Sequence, residues 1–247
     1  MRINQLPARQ GFVWFQQAWG TFWRHPLQWV ALFVVATAAP LVLSVFLPLF
    51  GGLLGEFIQT LLFLGFFQLA RHHHEPSTKR IREILFAFRN SDLCVNILWL
   101  KISVFFSLLF LILLLAGIDS WLGLTIKDLM SVLQILSLQL FTLIPEPLWW
   151  IIGTHIFLIL LWSLLVGAGL LFAAPLIAFS SLGVSDAFWW SLKAQWKNIG
   201  VFFALTLLLV PLTLLAILPF GMGLLVMGPV FWLTLAQAHR DLFDKRM

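Results

Sequence analysis

Residues 26–47 read PLQWVALFVVATAAPLVLSVFL, and no acidic or basic side chain interrupts them. At 1.5 Å of rise per residue, a helix over this stretch is about 33 Å long, enough to cross roughly 30 Å of hydrocarbon. Five more stretches follow the pattern, at 52–70, 93–116, 148–173, 199–218 and 221–238. The rest of the chain agrees: of 247 residues, 61% are hydrophobic and 10% charged. An ordinary soluble domain has about 45–50% apolar and about 25% charged residues. With a mean hydropathy of +0.99, too little polar surface is left to cover a water-facing globule. The expected fold class is all-α: a six-span transmembrane helical bundle, with residues 1–247 as a single transmembrane domain. Ala36-Thr37-Ala38 has the small residues of a signal-cleavage site, but the apolar run continues through Phe50. An uncleaved first span is therefore expected.

Between the spans lie segments apolar on one side only. Over Ala8 to Arg24, Phe12, Phe15, Trp19, Phe22 and Trp23 share a helical face, and His25-Pro26 ends the helix. Ile81, Ile84, Leu85 and Phe88 repeat the spacing amid Lys79, Arg80, Arg82 and Arg89, and Asp186 to Asn198 supplies Phe188, Trp189, Trp190 and Trp196. These three are expected as amphipathic interfacial helices, aromatic groups toward the acyl chains. A fourth stripe, Lys127, Ser131, Gln134 and Thr142, predicts a helix on the outer surface.

Orientation follows from the basic residues. With both termini cytoplasmic, every one of the 15 Lys and Arg except Lys127 falls on or near the cytoplasmic side, Lys101 reaching it by snorkelling. The opposite arrangement violates the positive-inside rule. Arg24, Lys79, Arg80, Arg82, Arg89 and Lys197 border the spans, where anionic lipid headgroups are the expected partners. That placement, rather than nucleic acid binding, accounts for the formal net charge of +5.

The chain also carries an internal likeness. Trp23-Arg24-His25 matches Trp196-Lys197-Asn198, with Phe15 opposite Phe188 and Ala31-Leu32 opposite Ala204-Leu205. After a two-residue shift, Pro40 meets Pro211 and Pro48 meets Pro219. Phe88-Arg89-Asn90 stands at the equivalent place before the third span. Three parallel copies of an interfacial helix plus a two-span hairpin are expected, in repeat-like units 8–70, 79–174 and 186–240. The alternative is that aromatic-basic pairs recur at any inner-membrane boundary.

Gly11-Phe12 through Trp19, Phe22-Trp23-Arg24-His25-Pro26-Leu27 and Phe86-Ala87-Phe88-Arg89 resemble a family of uncharacterised proteobacterial polytopic inner-membrane proteins. The resemblance covers nearly the whole chain in layout and specific residues mainly in the first ninety. It implies a multi-pass protein of the bacterial inner membrane and implies no activity.

Chemical signatures are sparse. The sequence has no HExxH, no pair of membrane aspartates and no Walker-type loop. No enzymatic activity, metal or cofactor is expected. His72-His73-His74-Glu75 is read as a solvated run that gains charge as pH falls through about 6.5. The single cysteine, Cys94, is read as a small apolar residue at a span edge.

Glu56 lies several residues into the second span, where a carboxylate costs up to about 2.5–3.5 kcal/mol at the bilayer centre. Gln59 follows at i+3, and His155 sits at comparable depth in the fourth span. Glu56, Gln59 and His155 are the candidate intramembrane polar site: either Glu56 and His155 meet, or each reaches the outer headgroups alone.

Two functional classes fit. One is a non-enzymatic scaffold or accessory subunit of a membrane assembly, touching a membrane-protein partner and anionic lipid. The other is a small transporter or lipid-handling protein, for which the proline-broken helices at Pro40 and Pro211 mark a substrate site.

Overall fold

The computed structural model describes residues 2–48, 50–71, 84–121, 146–218 and 220–243. Among these residues the protein is all-helical, without a strand. In chain order the helices are α1 (Gln10–Arg24), α2 (Pro26–Phe46), α3 (Gly51–Arg71), α4 (Phe86–Arg89) and α5 (Ser91–Trp121). There follow α6 (Glu146–Leu171), α7 (Ala173–Ser180), α8 (Val184–Lys197), α9 (Ile199–Ile217) and α10 (Leu224–Phe243).

Local chemistry sets several boundaries. A single non-helical residue, His25, separates α1 from α2, and Pro26 opens α2, where its missing N–H costs nothing. Asn198 stands in the same way between α8 and α9. Before α5, the Asn90 side chain accepts a hydrogen bond from the Leu93 amide at 3.1 Å, capping that helix's first turn. Where α6 gives way to α7, the Phe172 amide donates to Ser191 Oγ at 3.1 Å.

Five helical stretches are long and apolar enough to cross a membrane: Pro26–Phe46, Gly51–Arg71, Ser91–Trp121, Trp149–Ser180 and Ile199–Ile217. These mark a multi-pass membrane protein. The sixth expected span forms a helix, α10, whose second half carries Gln237, His239, Arg240 and Asp241. Its polar positions lie inside protein rather than in lipid: Thr234, Gln237 and His239 are all buried. α10 is not among the helices long and apolar enough to cross a membrane.

The chain divides into two compact units, one formed by Met1–Lys101 with Gly169–Met247 and the other by Ile102–Ala168. This division does not follow the three repeat-like units. In the first unit α10 packs on α1, α2, α3 and α9. Trp232 of α10 anchors this core, its ring centroid 5.1 Å from Phe33, 5.0 Å from Phe63 and 5.2 Å from Phe66. The α2–α3 hairpin closes through Gly51 and Gly55, where the backbones of the two helices meet.

The described residues of the second unit are the C-terminal part of α5 and most of α6. Among its described residues only Leu111 is buried. Its apolar side chains, Phe106, Phe110, Leu160 and Leu164 among them, are exposed on the isolated chain.

The first amphipathic helix, α1, also has a stripe that faces protein. The buried stripe of α1 is Gly11, Trp14, Ala18 and Phe22, turned toward α9 and α10. Phe12, Trp19 and Trp23 of the face expected toward the acyl chains are exposed, while Phe22 joins the buried stripe. The cause is the pair of small residues, Gly11 and Ala18, which admit close neighbours. A Cβ added at Gly11 would lie 2.8 Å from the Val201 carbonyl oxygen. In the second amphipathic segment only the short α4 and the residues next to it are described; Lys79, Arg80, Ile81 and Arg82 lie outside the described residues, as does the expected outer helix over 126–142.

Candidate functional site

The three residues of the expected polar site do not stand as read. Glu56, near the start of α3, forms an ion pair with Lys101 of α5, Oε2 to Nζ at 3.2 Å. Lys101 therefore turns to a carboxylate instead of snorkelling to the membrane edge, and Glu56 does not reach the headgroups alone. Both positions fall within apolar helices, where opposite charges lower each other's cost in hydrocarbon. Gln59 is half-buried one turn along α3.

His155 instead meets Asp119, a residue expected in the connection after the third span and found in the last turns of α5. Nε2 and Oδ1 are 3.1 Å apart, with the side chains 19% and 13% exposed. The two atoms are at ion-pair distance without the alignment of a hydrogen bond. The other ring nitrogen, Nδ1, lies 2.9 Å from the Ile151 carbonyl oxygen.

The Glu56–Lys101 pair yields a prediction. Glu56→Gln leaves the Lys101 ammonium without its counter-charge and should destabilise the protein by about 1–3 kcal/mol. Adding Lys101→Met should recover most of that loss, since the uncompensated charge goes with it. Thermal unfolding of the single and double variants in one detergent measures both; equal stability of Glu56→Gln and the parent would remove the pair from the energetics.

The residues expected at headgroups share a structural role as well. Arg24, Arg89 and Lys197 each sit in the last turn of a helix, where a cation meets the negative end of the dipole. Arg24 also lines a cavity of about 390 Å³ with Gln17, Gly20, Thr21, Gln237 and Arg240. Lys197 lines a second cleft, with Arg2 and Lys193.

Sequence reasoning missed a polar clasp at this end of the first unit. Asp241 Oδ2 accepts hydrogen bonds from Gln10 Nε2 at 2.7 Å and Trp14 Nε1 at 2.8 Å. The Asp241 carbonyl accepts from Asn4 Nδ2 at 2.8 Å. Asn198, 3% exposed, donates to the carbonyls of Asn4 and Ala194 at 3.0 Å each and accepts from the Leu6 amide at 2.9 Å. These bonds tie the first residues to α1, α10 and the α8–α9 junction. A polar residue on an otherwise apolar face was the available signal for Asp241, but the partners are 227 and 231 positions away.

Beside the clasp, His239 is 1% exposed, past the end of the expected sixth span at Ala238. Phe67, Phe172, Phe179 and Phe243 surround its ring at centroid distances of 5.3, 6.3, 6.1 and 5.1 Å. Neither ring nitrogen has a hydrogen-bond partner among the described residues. The Arg71 guanidinium lies 4.7 Å from the centre of the Phe179 ring. Burial first, and then the positive charge of Arg71, push the imidazole down from 6.5 to about 3.

A folded pKa below the unfolded one means the unfolded chain takes up the proton first. The contribution of His239 is thus complete above pH 6.5 and is lost as pH falls from there toward about 3. The slope is at most about 1.4 kcal/mol per pH unit. Melting temperature in detergent should decline between pH 6.5 and 4.5 in the parent and less steeply in His239→Phe; parallel declines would separate His239 from the acid sensitivity.

Among the described residues no three of His, Cys, Asp and Glu gather as metal ligands would. The run at 72–75 lies outside them. Comparison of the chain with protein-family models, curated proteins and solved structures found no match.

Proposed function

We propose that the chain is a non-enzymatic protein of a bacterial inner membrane, serving as a scaffold or accessory subunit of a membrane assembly, with both termini in the cytoplasm. The observation that carries this is the contact of Gly55 with Pro40. A transporter would open a substrate site at the proline break of α2, and here the α3 backbone fills it: a Cβ added at Gly55 would lie 2.3 Å from Pro40 Cα. The titratable side chains within the apolar helices also face one another, Glu56 with Lys101 and Asp119 with His155. The exposed apolar side chains of α5 and α6, Phe106, Phe110, Leu160 and Leu164 among them, give such a subunit a face for a partner helix.

Photo-crosslinking amino acids at Phe106, Phe110, Leu160 and Leu164, activated in intact membranes, test it. Discrete protein adducts support an accessory subunit; adducts to lipid alone at all four sites defeat it. Tags on each terminus test the orientation, and periplasmic access to either one overturns it.

A second reading is a small transporter or lipid-handling protein working near Glu56, favoured by the 56% exposure of that side chain beside Lys101. Vesicles carrying the purified chain decide it: movement of a fluorescent lipid above that in empty vesicles, abolished by Glu56→Gln, would replace the scaffold.

A further inference from the structure

The first residues of the chain and α8 enclose a cleft of about 630 Å³ lined by Arg2, Asn4, Gln5, Trp190, Lys193 and Lys197. Three of these side chains are cations and none is a carboxylate. Lys193 and Lys197 are one helical turn apart on α8, so they share a face. Lys193 Nζ lies 5.4 Å from the centre of the Trp190 ring, which forms a wall of the cleft. Arg2 is brought to the same place by Asn198, whose bonds to Asn4 and Leu6 hold the first residues against the end of α8. The nearest acidic side chain in the clasp, Asp241, is turned to Gln10 and Trp14. Three like charges around one opening repel each other, and an oxyanion between them removes that repulsion while accepting hydrogen bonds from all three and from Gln5.

The surroundings name the source of that anion. Lys197 is followed after one residue by the apolar helix Ile199–Ile217, so the cleft stands at the level where a membrane ends. Trp189 and Trp196 of α8 are 65% and 80% exposed, and Ile199 and Phe203 at the start of α9 are exposed too. Exposed tryptophans beside a span are the side chains of a membrane interface. A phosphate seated among the cations has apolar surface beside it for acyl chains. We infer that this cleft is a binding site for an anionic phospholipid, whose phosphodiester is held by Arg2, Lys193 and Lys197. With no carboxylate among the described lining residues, the site gives the ammonium of a zwitterionic lipid no partner, so it selects headgroups whose net charge is negative. The inference rests on residence in a membrane and is independent of whether the chain is a scaffold.

The test uses the full chain purified in mild detergent, titrated with phosphatidylglycerol, with phosphatidylethanolamine or with soluble glycerol phosphate, and read by native mass spectrometry. Phosphatidylglycerol should be retained and phosphatidylethanolamine should not. The Arg2→Gln/Lys193→Gln/Lys197→Gln variant should bind it about a hundredfold more weakly, each cation near the membrane surface being worth about fivefold. A comparator losing three charges elsewhere, Arg9→Gln/Lys127→Gln/Arg246→Gln, should keep its affinity, and melting temperatures show that both variants fold. Equal loss in the two variants, or none in the first, would overturn the site. Glycerol phosphate binding as tightly as the lipid would replace the lipid by a soluble phosphate ester and so defeat the inference as well. Release of the chain from membranes by salt or alkali, without detergent, would instead show that membrane residence itself had failed.

Discussion

Alanine in place of Trp14 is expected to cost the protein about 4–5 kcal/mol and to lower its melting temperature by about 10–15 °C. Trp14 is 0% exposed, in the middle of the buried stripe of α1. Its ring centroid lies 6.0 Å from that of Phe202 on α9, and its indole nitrogen donates to Asp241 on α10 at 2.8 Å. Truncation removes the apolar volume that joins three helices and takes one of two side-chain donors from a carboxylate. The two terms separate. Trp14→Phe keeps most of the ring and loses only the hydrogen bond, so it should cost about 1.5–3 kcal/mol, the range for a bond to a charged group. If Asp241→Ala is made in the Trp14→Phe background, the further loss should be smaller than in the parent, because one of its bonds is already gone. A Trp14→Ala protein that melts within about 2 °C of the parent would mean that α1 is not fastened through this residue.

The same residue shows where sequence reasoning ends. The apolar lengths at 26–47, 52–70, 93–116, 148–173 and 199–218 were legible because lipid penalises every polar group along a span, and the helices found there begin and end within a few residues of those limits. His25 was equally plain as a break, from the proline that follows it. The protein-facing stripe of α1 was not plain. Counting bulky aromatic residues selects Phe12, Trp19 and Trp23 for the acyl chains, but it does not single out the stripe carrying Gly11 and Ala18, which let neighbouring backbones approach. Pairings were less legible still. Glu56 stood out as a charge in an apolar run, but its depth alone does not distinguish Lys101 from His155, and Asp119 seemed part of a connection because charges ordinarily end a span. His239 offered no sequence signal, since a histidine beyond the last apolar stretch reads as solvated, and its burial comes from four phenylalanines on three other segments of chain and its own helix.

Two glycines three residues apart on α3 should respond oppositely to the same substitution, and the contrast tests the α2–α3 hairpin directly. Gly55→Ala places a methyl group 2.3 Å from Pro40 Cα and 2.8 Å from Pro40 Cβ. Neither is the end of a flexible side chain, so the helices themselves must part. Overpacking ordinarily costs about 1–3 kcal/mol and more where backbone must move; here about 3 kcal/mol is expected for alanine, and Gly55→Leu should leave little folded protein. Gly52 lies one turn before Gly55 and meets nothing within 4 Å. Gly52→Ala therefore adds helix propensity without a clash and should be neutral or stabilising by up to about 1 kcal/mol. Gly51, whose added Cβ would come 2.0 Å from the Leu43 carbonyl oxygen, should behave like Gly55. The measurement is melting temperature together with the amount of protein recovered from membranes. A Gly55→Ala variant as stable as Gly52→Ala would mean that α2 and α3 do not meet at Pro40, and the closed proline break on which the scaffold proposal stands would go with it.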